Sequence, residues 1–293
     1  MDHLKFNQSI SQLIKTRYSC RTYQARPISD IDLASLEEFI NTCHLGPFGT
    51  QSRFKIVAAK EGDNQSLKGL GTYGFIKNPT GFIIGACRDN PGSLEDFGYL
   101  MEAILLRATD LGLGSCWLGG TFTKSRFSRV MELNEGEFIP AVVSIGYPAD
   151  EPFWLEKTIR IRARADYRLD WEDLFFYQTY GVPLKPSEAG KFQEPLEMVR
   201  LAPSASNKQP WRIVKKGKAW YFFLRRTANY PNPVFDYLLN LADLQRVDLG
   251  IAMSHFELSA RERNLSGNWV KENPNIPQTD SLTEYTATWQ IIN

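Results

Sequence analysis

The segment from Pro203 to Trp211 has the residue types that could hold a flat heteroaromatic ligand. It reads PSASNKQPW, and a β-type run, WRIV, follows at once. Small residues let a flat ligand approach the backbone, and Asn and Ser offer donors and acceptors to its edge. The same pattern also fits an ordinary Asx-type turn before a strand, so the segment by itself leaves both interpretations open.

Two further segments suit a phosphate and a close backbone approach. Arg17, Ser19 and Arg21 alternate in the stretch RYSCR, so in an extended backbone their side chains point the same way. Two guanidiniums and a hydroxyl on one side favour a phosphate or another anion. Residues 112–120 read GLGSCWLGG, which predicts a glycine-rich turn at the end of an amphipathic helix.

Composition restricts the class of protein. The chain has 293 residues, enough for one large or two ordinary domains, and its formal net charge is +1. With no long basic tract, we expect neither nucleic acid nor an anionic membrane surface as the main partner. The apolar runs are shorter than the roughly 18 residues that a spanning helix needs, and the N-terminus lacks a signal-type apolar core.

The four cysteines are Cys20, Cys43, Cys87 and Cys116. They have no CxxC or CxxH spacing, so we expect neither a metal site nor a disulfide framework. Buried free thiols are the simplest interpretation, and they fit a cytoplasmic location.

An internal repeat is visible. Residues 96–117 align without a gap with residues 248–269, and residues 46–57 align with residues 203–214. The identical pairs are Asp96/Asp248, Gly98/Gly250, Met101/Met253, Leu106/Leu258, Ala108/Ala260, Leu113/Leu265, Trp117/Trp269, Ile56/Ile213 and Val57/Val214. Two unrelated helix–strand units of similar periodicity are the alternative, but the shared Asp, Gly and Trp favour a true repeat.

The three segments together resemble the flavin-dependent nitroreductase family, and most of all its branch with two nitroreductase-like halves in one chain. The resemblance covers nearly the whole chain. It implies an α+β fold, a three-layer sandwich built as a fused pseudo-dimer. We expect residues 1–175 to form the first half and residues 176–293 the second, degenerate half. The aromatic segment 167–190 would join the two halves.

The resemblance also implies one cofactor site between the halves. Typical members are homodimers with two flavin mononucleotides (FMN), each held by an Arg-x-Ser-x-Arg arm and a glycine turn from one subunit and a Pro-Ser-x-x-Asn turn from the other. Here the first half has the arm and the glycine turn, but its copy of the third motif reads GPFGTQSRF. The second half has PSASNKQPW, whereas its copy of the glycine turn reads NLSGNWVKE. We therefore expect one complete FMN site and one lost site.

Thirteen residues receive cofactor-binding roles from the resemblance. Arg17 and Ser19 would bind the phosphate, and Arg21 the phosphate or the pyrimidine edge. The residues expected near N5 and O4 of the flavin ring are Trp117, Leu118, Gly119 and Gly120. Those expected to line one side of the flavin are Pro203, Ser204, Ala205 and Asn207. A second phosphate clamp would consist of Arg164 and Arg168. An ordinary solvated charged surface is the alternative for the last pair.

The implied function is a hydride transfer from NADH or NADPH, through flavin N5, to a nitroaromatic, a quinone or another conjugated small-molecule acceptor. No catalytic residue of the chain itself is expected, and His255 would be a packed or interfacial residue. A flavin-binding, storage or sensing protein without turnover, or a structural scaffold, is the rival class. A monomer is compatible with the fusion, and a homodimer stays open.

The hydrophobic periodicity predicts the main elements. Helices are predicted at 10–15, 31–42, 64–70, 96–111, 125–131, 196–202 and 238–264, and strands at 54–58, 81–86, 141–147, 213–214, 220–224 and 285–292.

Overall fold

The computed structural model describes residues 4–61, 67–162, 164–228, 242–274, 276–277 and 280–292. Its helices are α1 (Ile10–Thr16), α2 (Asp30–Thr42), α3 (Ser93–Asp110), α4 (Lys124–Met131), α5 (Trp154–Arg162), α6 (Trp171–Leu174), α7 (Pro186–Ala189), α8 (Gln193–Arg200) and α9 (Leu244–Glu262). Its strands are β1 (Ser52–Ala58), β2 (Gly81–Arg88), β3 (Gly114–Leu118), β4 (Glu137–Phe138), β5 (Val142–Gly146), β6 (Phe175–Tyr177), β7 (Trp211–Lys216), β8 (Ala219–Arg225), β9 (Gly267–Val270) and β10 (Thr283–Ile291).

Two sheets of matching strand order form the framework. The first has the order β1-β2-β5-β3, with β4 beside β2, and the second has the order β6-β7-β8-β10-β9. Apart from the additional strands β4 and β6, the two orders correspond strand by strand, and the neighbours in both are antiparallel. The α+β architecture of two related halves is therefore present in the fold.

Strand β2 of the first sheet has a continuously apolar sequence before Arg88. Seven of its eight residues are buried, because both of its faces are covered. Ile83 belongs to the core that contains α3. Phe82 faces the other way and meets Phe127 of α4 edge-on, with 5.2 Å between the ring centroids.

The central helices α3 and α9 touch backbone to backbone. A Cβ atom on Gly98 would overlap the carbonyl oxygen of Val247, and one on Gly250 would overlap the carbonyl oxygen of Glu95. Both glycines are an identical pair of the repeat, so the same close contact is made from each side. Glycine at these two positions lets the halves approach more closely than any other residue would.

The shared aspartates at the start of the repeat hold equivalent turns. Asp96 of α3 accepts hydrogen bonds from the backbone N–H of Phe48 (2.9 Å) and of Thr50 (2.9 Å). Asp248 of α9 accepts from the backbone N–H of Ala205 at 2.9 Å, at the position that the repeat aligns with Phe48. Burial raises the pKa of Asp96 to about 6, and that of Asp248 well above its ordinary value. These contacts support the internal repeat.

Several elements differ from the sequence predictions. Residues 112–120 were predicted as a turn, but Gly114–Leu118 forms strand β3, because its backbone pairs with β5. Short elements such as β6, β9 and α7 have too few residues to show a period. The second sheet begins with β6 at Phe175, one residue before the expected boundary. Residues 64–66 of the predicted helix 64–70 and the start of 238–264 lie outside the described residues, and residues 67–70 form no α-helix.

No helix in the described ranges combines the length and the apolar character that crossing a bilayer requires.

We expect Gly98→Ala to destabilise the fold. In an ordinary helix this change stabilises by about 0.5–1 kcal/mol, but here the new methyl group would overlap a backbone carbonyl of α9. Overpacking of this kind costs about 1–3 kcal/mol, which urea unfolding measures. Glu37→Ala, on the exposed side of α2, is the control and should change stability by less than about 0.5 kcal/mol. A more stable Gly98→Ala protein would contradict the close crossing.

Candidate functional site

A cavity of about 870 Å³ lies between the two halves. Its size is in the range of small-molecule and cofactor sites. Nine of the thirteen residues predicted from the sequence line it: Arg17, Ser19, Arg21, Trp117, Leu118, Arg168, Pro203, Ser204 and Asn207. The arm of the first half and the turn of the second half, about 185 positions apart in sequence, therefore face the same space.

The arm is extended because it pairs with strand β3. Helix α1 ends at Thr16, and the backbone N–H of Cys20 then donates to the carbonyl oxygen of Ser115 at 2.9 Å. Ser19 pairs with Ser115 in a parallel bridge. Cys20 is buried in the protein while the two arginines and Ser19 line the cavity, as the alternation in RYSCR predicts, but Tyr18 between them lines it as well.

Helix α1, which leads into the arm, is itself held by the second half. The carboxylate of Glu262, the last residue of α9, accepts from the backbone N–H of Ile10 at 2.5 Å and from that of Ser11 at 3.3 Å. A carboxylate at a helix N-terminus satisfies free backbone donors and interacts favourably with the helix dipole. The position of the arm thus depends on α9.

Glu102 is a buried carboxylate that contacts two residues of the cavity wall, Arg17 and Trp117. It lies on α3, and its side chain is fully buried. Its Oε1 lies 3.3 Å from Arg17 Nε and 3.0 Å from His255 Nε2, and its Oε2 accepts from Trp117 Nε1 at 2.8 Å. Burial acts to raise the pKa of Glu102, but the Arg17 charge and the hydrogen bonds from His255 and Trp117 bring it below the ordinary value. Glu102 is therefore ionised at neutral pH.

Two arginines at the cavity have buried nitrogens that lack a hydrogen-bond partner among the described residues. The side chain of Arg17 is 5% exposed, and its Nε and Nη1 have no such partner. Arg168 donates to the carbonyl oxygens of Ala165 (2.7 Å) and Leu201 (3.3 Å), while its Nε has no partner in the same described set. Burial, and then the nearby charges of Arg17 and Arg200, lower the pKa of Arg168. This arrangement favours an anionic ligand.

The turn of the second half has an unusual backbone. Ser206, Asn207 and Gln209 have φ angles of 51°, 54° and 49°, the left-handed region that costs energy for residues other than glycine. The backbone N–H of Gln209 donates to Ser204 Oγ at 2.9 Å. Asn207 Nδ2 donates to the carbonyl oxygens of Arg164 (2.7 Å) and Tyr167 (2.9 Å), and the residue lines the cavity.

Four predicted residues do not line the cavity: Gly119, Gly120, Arg164 and Ala205. A Cβ atom on Gly119 would overlap Leu244 at the start of α9, so this glycine permits close packing of the halves. The guanidinium of Arg164 instead lies over the ring of Tyr167, 4.5 Å from its centroid. Ala205 binds Asp248 through its N–H.

Sequence reasoning missed several residues of this site. Tyr18 and Phe75 line the cavity and are 42% and 41% exposed, and Glu156 lines it as a buried carboxyl that accepts from Thr22 Oγ1 at 2.7 Å. Burial raises the pKa of Tyr18 to about 12, so its phenol stays a neutral donor. Glu102 lies outside the motifs, although its place one turn after Gly98 on the repeat helix was an available signal. His255 is buried between the halves, as expected from the sequence.

The thiols are unsuited to nucleophilic chemistry. All four are free and buried. Burial raises the pKa of Cys20 to about 11 and those of Cys43 and Cys87 to about 12, and it also raises that of Cys116. They are therefore protonated at neutral pH. Among the described residues, no group of three or more potential ligands is arranged to hold a metal ion.

The repeat positions that correspond to Gly119 and Ala205 carry larger side chains that contact each other. The repeat aligns Lys271 with Gly119 and Phe48 with Ala205. Lys271 Nζ lies over the Phe48 ring, 4.1 Å from its centroid. The second copy of the repeat thus differs at both positions, since Lys271 and Phe48 are larger than glycine and alanine.

We expect Asn207→Asp to loosen the segment 164–168. The change places a carboxylate oxygen against the carbonyl oxygens of Arg164 and Tyr167 in place of a donor, which should cost about 1–3 kcal/mol. Hydrogen exchange followed by mass spectrometry should show faster exchange in this segment. Lys208→Ala, an exposed change in the same turn, is the control. Unchanged protection in Asn207→Asp would mean that Asn207 does not hold the segment.

Comparison with known proteins places the chain in a family. Residues 9–260 match the family model described as "Putative TM nitroreductase". A protein of Archaeoglobus fulgidus named "Putative NADH dehydrogenase/NAD(P)H nitroreductase" is 30% identical over 174 residues, which covers 55% of this chain and 97% of the relative. A protein of Methanothermobacter thermautotrophicus with the same name is 27% identical over 155 residues, covering 49% of this chain and 79% of the relative.

A solved structure shares the fold over its full length. The crystal structure of a protein of Thermotoga maritima, described as a "putative nitroreductase", superposes with a TM-score of 0.62 at 20% identity. The match covers 99% of this chain and 96% of that chain, so both halves are included. Because the family model matches residues 9–260, most of the chain, this protein belongs to the nitroreductase family of oxidoreductases that the model describes.

Proposed function

We propose that this chain is an FMN-dependent oxidoreductase with one FMN site between its halves. NADH or NADPH would be the reductant, and a nitroaromatic, a quinone or another conjugated small molecule the acceptor. The observation that carries the proposal is the meeting of the arginine arm and the PSASNKQPW turn at one cavity, where buried arginine nitrogens have no hydrogen-bond partner among the residues that the structure describes. The NAD(P)H in the names of the two archaeal relatives supports the nicotinamide reductant.

The phosphate end of FMN fits the arginine side of the cavity. Arg17 and Arg168 bring two charges together in the cavity wall, where Nε and Nη1 of Arg17 and Nε of Arg168 lack a partner within the described structure. An unpaired buried donor is costly, and a phosphate offers enough acceptor oxygens for both. Ser19 and Arg21 lie on the same extended arm and add a hydroxyl and a third guanidinium.

The ring of FMN fits between the two walls of the cavity. Pro203, Ser204 and Asn207 would lie on one side, with Trp117 and Leu118 on the other. When bound, FMN supplies the acceptance and donation of hydride, and the chain binds it and orients it. The half-exposed rings of Tyr18 and Phe75 leave an apolar wall near the cavity on which a nicotinamide or an acceptor could pack.

A single site per chain is the form that the observations favour. Lys271 and Phe48 contact each other at the positions that the repeat aligns with Gly119 and Ala205, and the second half has no counterpart of the Arg17 arm in the sequence. The division into residues 1–175 and 176–293 is part of this proposal, with each half contributing one wall.

The stoichiometry of bound flavin tests the single site. We expect one FMN per chain after reconstitution, measured by flavin absorbance against protein concentration. Two per chain would mean that the location around Lys271 and Phe48 still binds, and none would overturn the proposed function. A protein that binds one FMN without reduction by NADH or NADPH would be a flavin-binding, storage or sensing protein instead.

Substitutions on both sides of the cavity test the shared site. We expect Arg17→Ala to weaken FMN binding by about 1.5–3 kcal/mol, because a charge-assisted contact is lost, and Asn207→Ala by about 1 kcal/mol. Flavin fluorescence titration measures both. Arg162→Ala is the matched control, since Arg162 is an exposed arginine of α5 that does not line the cavity. If Asn207→Ala binds FMN as tightly as the control, the second half does not contribute to the site.

A further inference from the structure

The link between Glu102 and His255 extends the site beyond the residues that line it. We propose that Glu102, held in place by His255 of the second half, is a positioning residue that aims the guanidinium of Arg17 at the cofactor phosphate and so makes the site select FMN over unphosphorylated riboflavin. This inference rests on the proposed function, because it needs a flavin in the cavity.

Glu102 holds Arg17 by charge. Glu102 Oε1 lies 3.3 Å from Arg17 Nε, and both side chains are almost completely buried. Nε and Nη1 of Arg17 have no hydrogen-bond partner among the described residues, so the contact is an ion pair without a hydrogen bond. The guanidinium is thus kept in place by the carboxylate while two of its nitrogens stay available as donors, which suits an arginine that binds a phosphate.

Glu102 is fixed in turn by groups from both halves. Trp117 of β3 donates to Oε2 at 2.8 Å, and His255 Nε2 lies 3.0 Å from Oε1. His255 Nδ1 lies 2.9 Å from the carbonyl oxygen of Met198 on α8 and must be its donor, because a carbonyl oxygen can only accept. The orientation of the imidazole ring is therefore set by the second half.

The charges explain why the carboxylate is needed before the ligand binds. A buried guanidinium with no counter-charge would be expensive, and it would be expected to move toward solvent. Glu102 is ionised because its pKa lies below the ordinary value, so it is the counter-charge that Arg17 and His255, which donates from both ring nitrogens, share in the unliganded state. The arm can then keep its bound geometry in advance, and less ordering cost opposes binding.

The second half has a matched carboxylate without this role. Glu257 of α9 accepts from Trp269 Nε1 at 2.6 Å, the tryptophan that the repeat aligns with Trp117. It also accepts from Tyr99 of α3 at 2.5 Å, and it pairs with Arg261 one turn along its own helix. Like Glu102, Glu257 is buried, accepts a hydrogen bond from an indole N–H and contacts the other half. Unlike Glu102, it has no described contact with a residue of the arm.

The test compares the affinities for FMN and riboflavin, measured by flavin fluorescence titration of the full chain. We expect Glu102→Gln and His255→Gln to weaken FMN binding roughly tenfold and to leave riboflavin binding within about twofold of the wild type. The ratio of FMN affinity to riboflavin affinity, the FMN preference, should therefore fall in both variants, as we also expect for Arg17→Ala. Adding Glu102→Gln to Arg17→Ala should then change the preference no further. Glu257→Gln is the control, and it should lower stability to unfolding without changing the preference.

Other outcomes overturn the inference. A Glu102→Gln protein that keeps the wild-type FMN preference, or that loses affinity for both flavins equally, would show a purely structural role. If Glu102→Gln does not fold, His255→Gln decides, since it leaves the carboxylate and its Trp117 contact in place. A wild-type protein that binds both flavins alike would also overturn the inference. A wild-type protein that binds neither would overturn the proposed function itself.

Discussion

The backbone contact between α3 and α9 is the constraint on which the rest of the structure depends. Gly98 and Gly250 let the two helices meet without intervening side chains, so the halves are held at one fixed distance. At that distance the side chain of His255 reaches Glu102, and Glu262 reaches the start of α1. The cavity between the halves therefore has walls whose separation is set by two residues that lack a side chain.

Buried carboxylates then transmit this geometry to the cavity. Each central helix carries an aspartate that holds the turn of its own half and a glutamate that accepts an indole N–H. Burying a carboxylate is unfavourable unless several donors satisfy it, and here the donors come from different elements. Asp248 fixes the turn that carries Asn207, and Glu102 fixes the arm that carries Arg17. Both halves thus use buried carboxylates on the central helix to hold nearby segments, and they differ in the residues around these carboxylates.

Much of the site followed from local patterns. The alternation of Arg17, Ser19 and Arg21 predicted a common direction, because the direction of a side chain in an extended segment depends on sequence position alone. The repeat predicted matching central helices, and their shared Asp, Gly and Trp each have a partner in the fold. The strand within residues 112–120 was missed because pairing with β5, rather than the local glycines, decides the backbone there. Gly119 matched a family motif, yet in this fold it packs against Leu244.

The sequence by itself determined the two-half organisation, the family and the motifs that meet at the cavity, since these depend on residue identity and spacing along the chain. It did not determine which polar groups support those motifs. Glu102 and His255 are 153 positions apart, and no local period connects them. Only the tertiary structure brings them within hydrogen-bond distance, because the contact exists once the glycines have let α3 and α9 cross. In the described part of the chain, packing also leaves Nε and Nη1 of Arg17 without a hydrogen-bond partner at the cavity, which no sequence pattern contains.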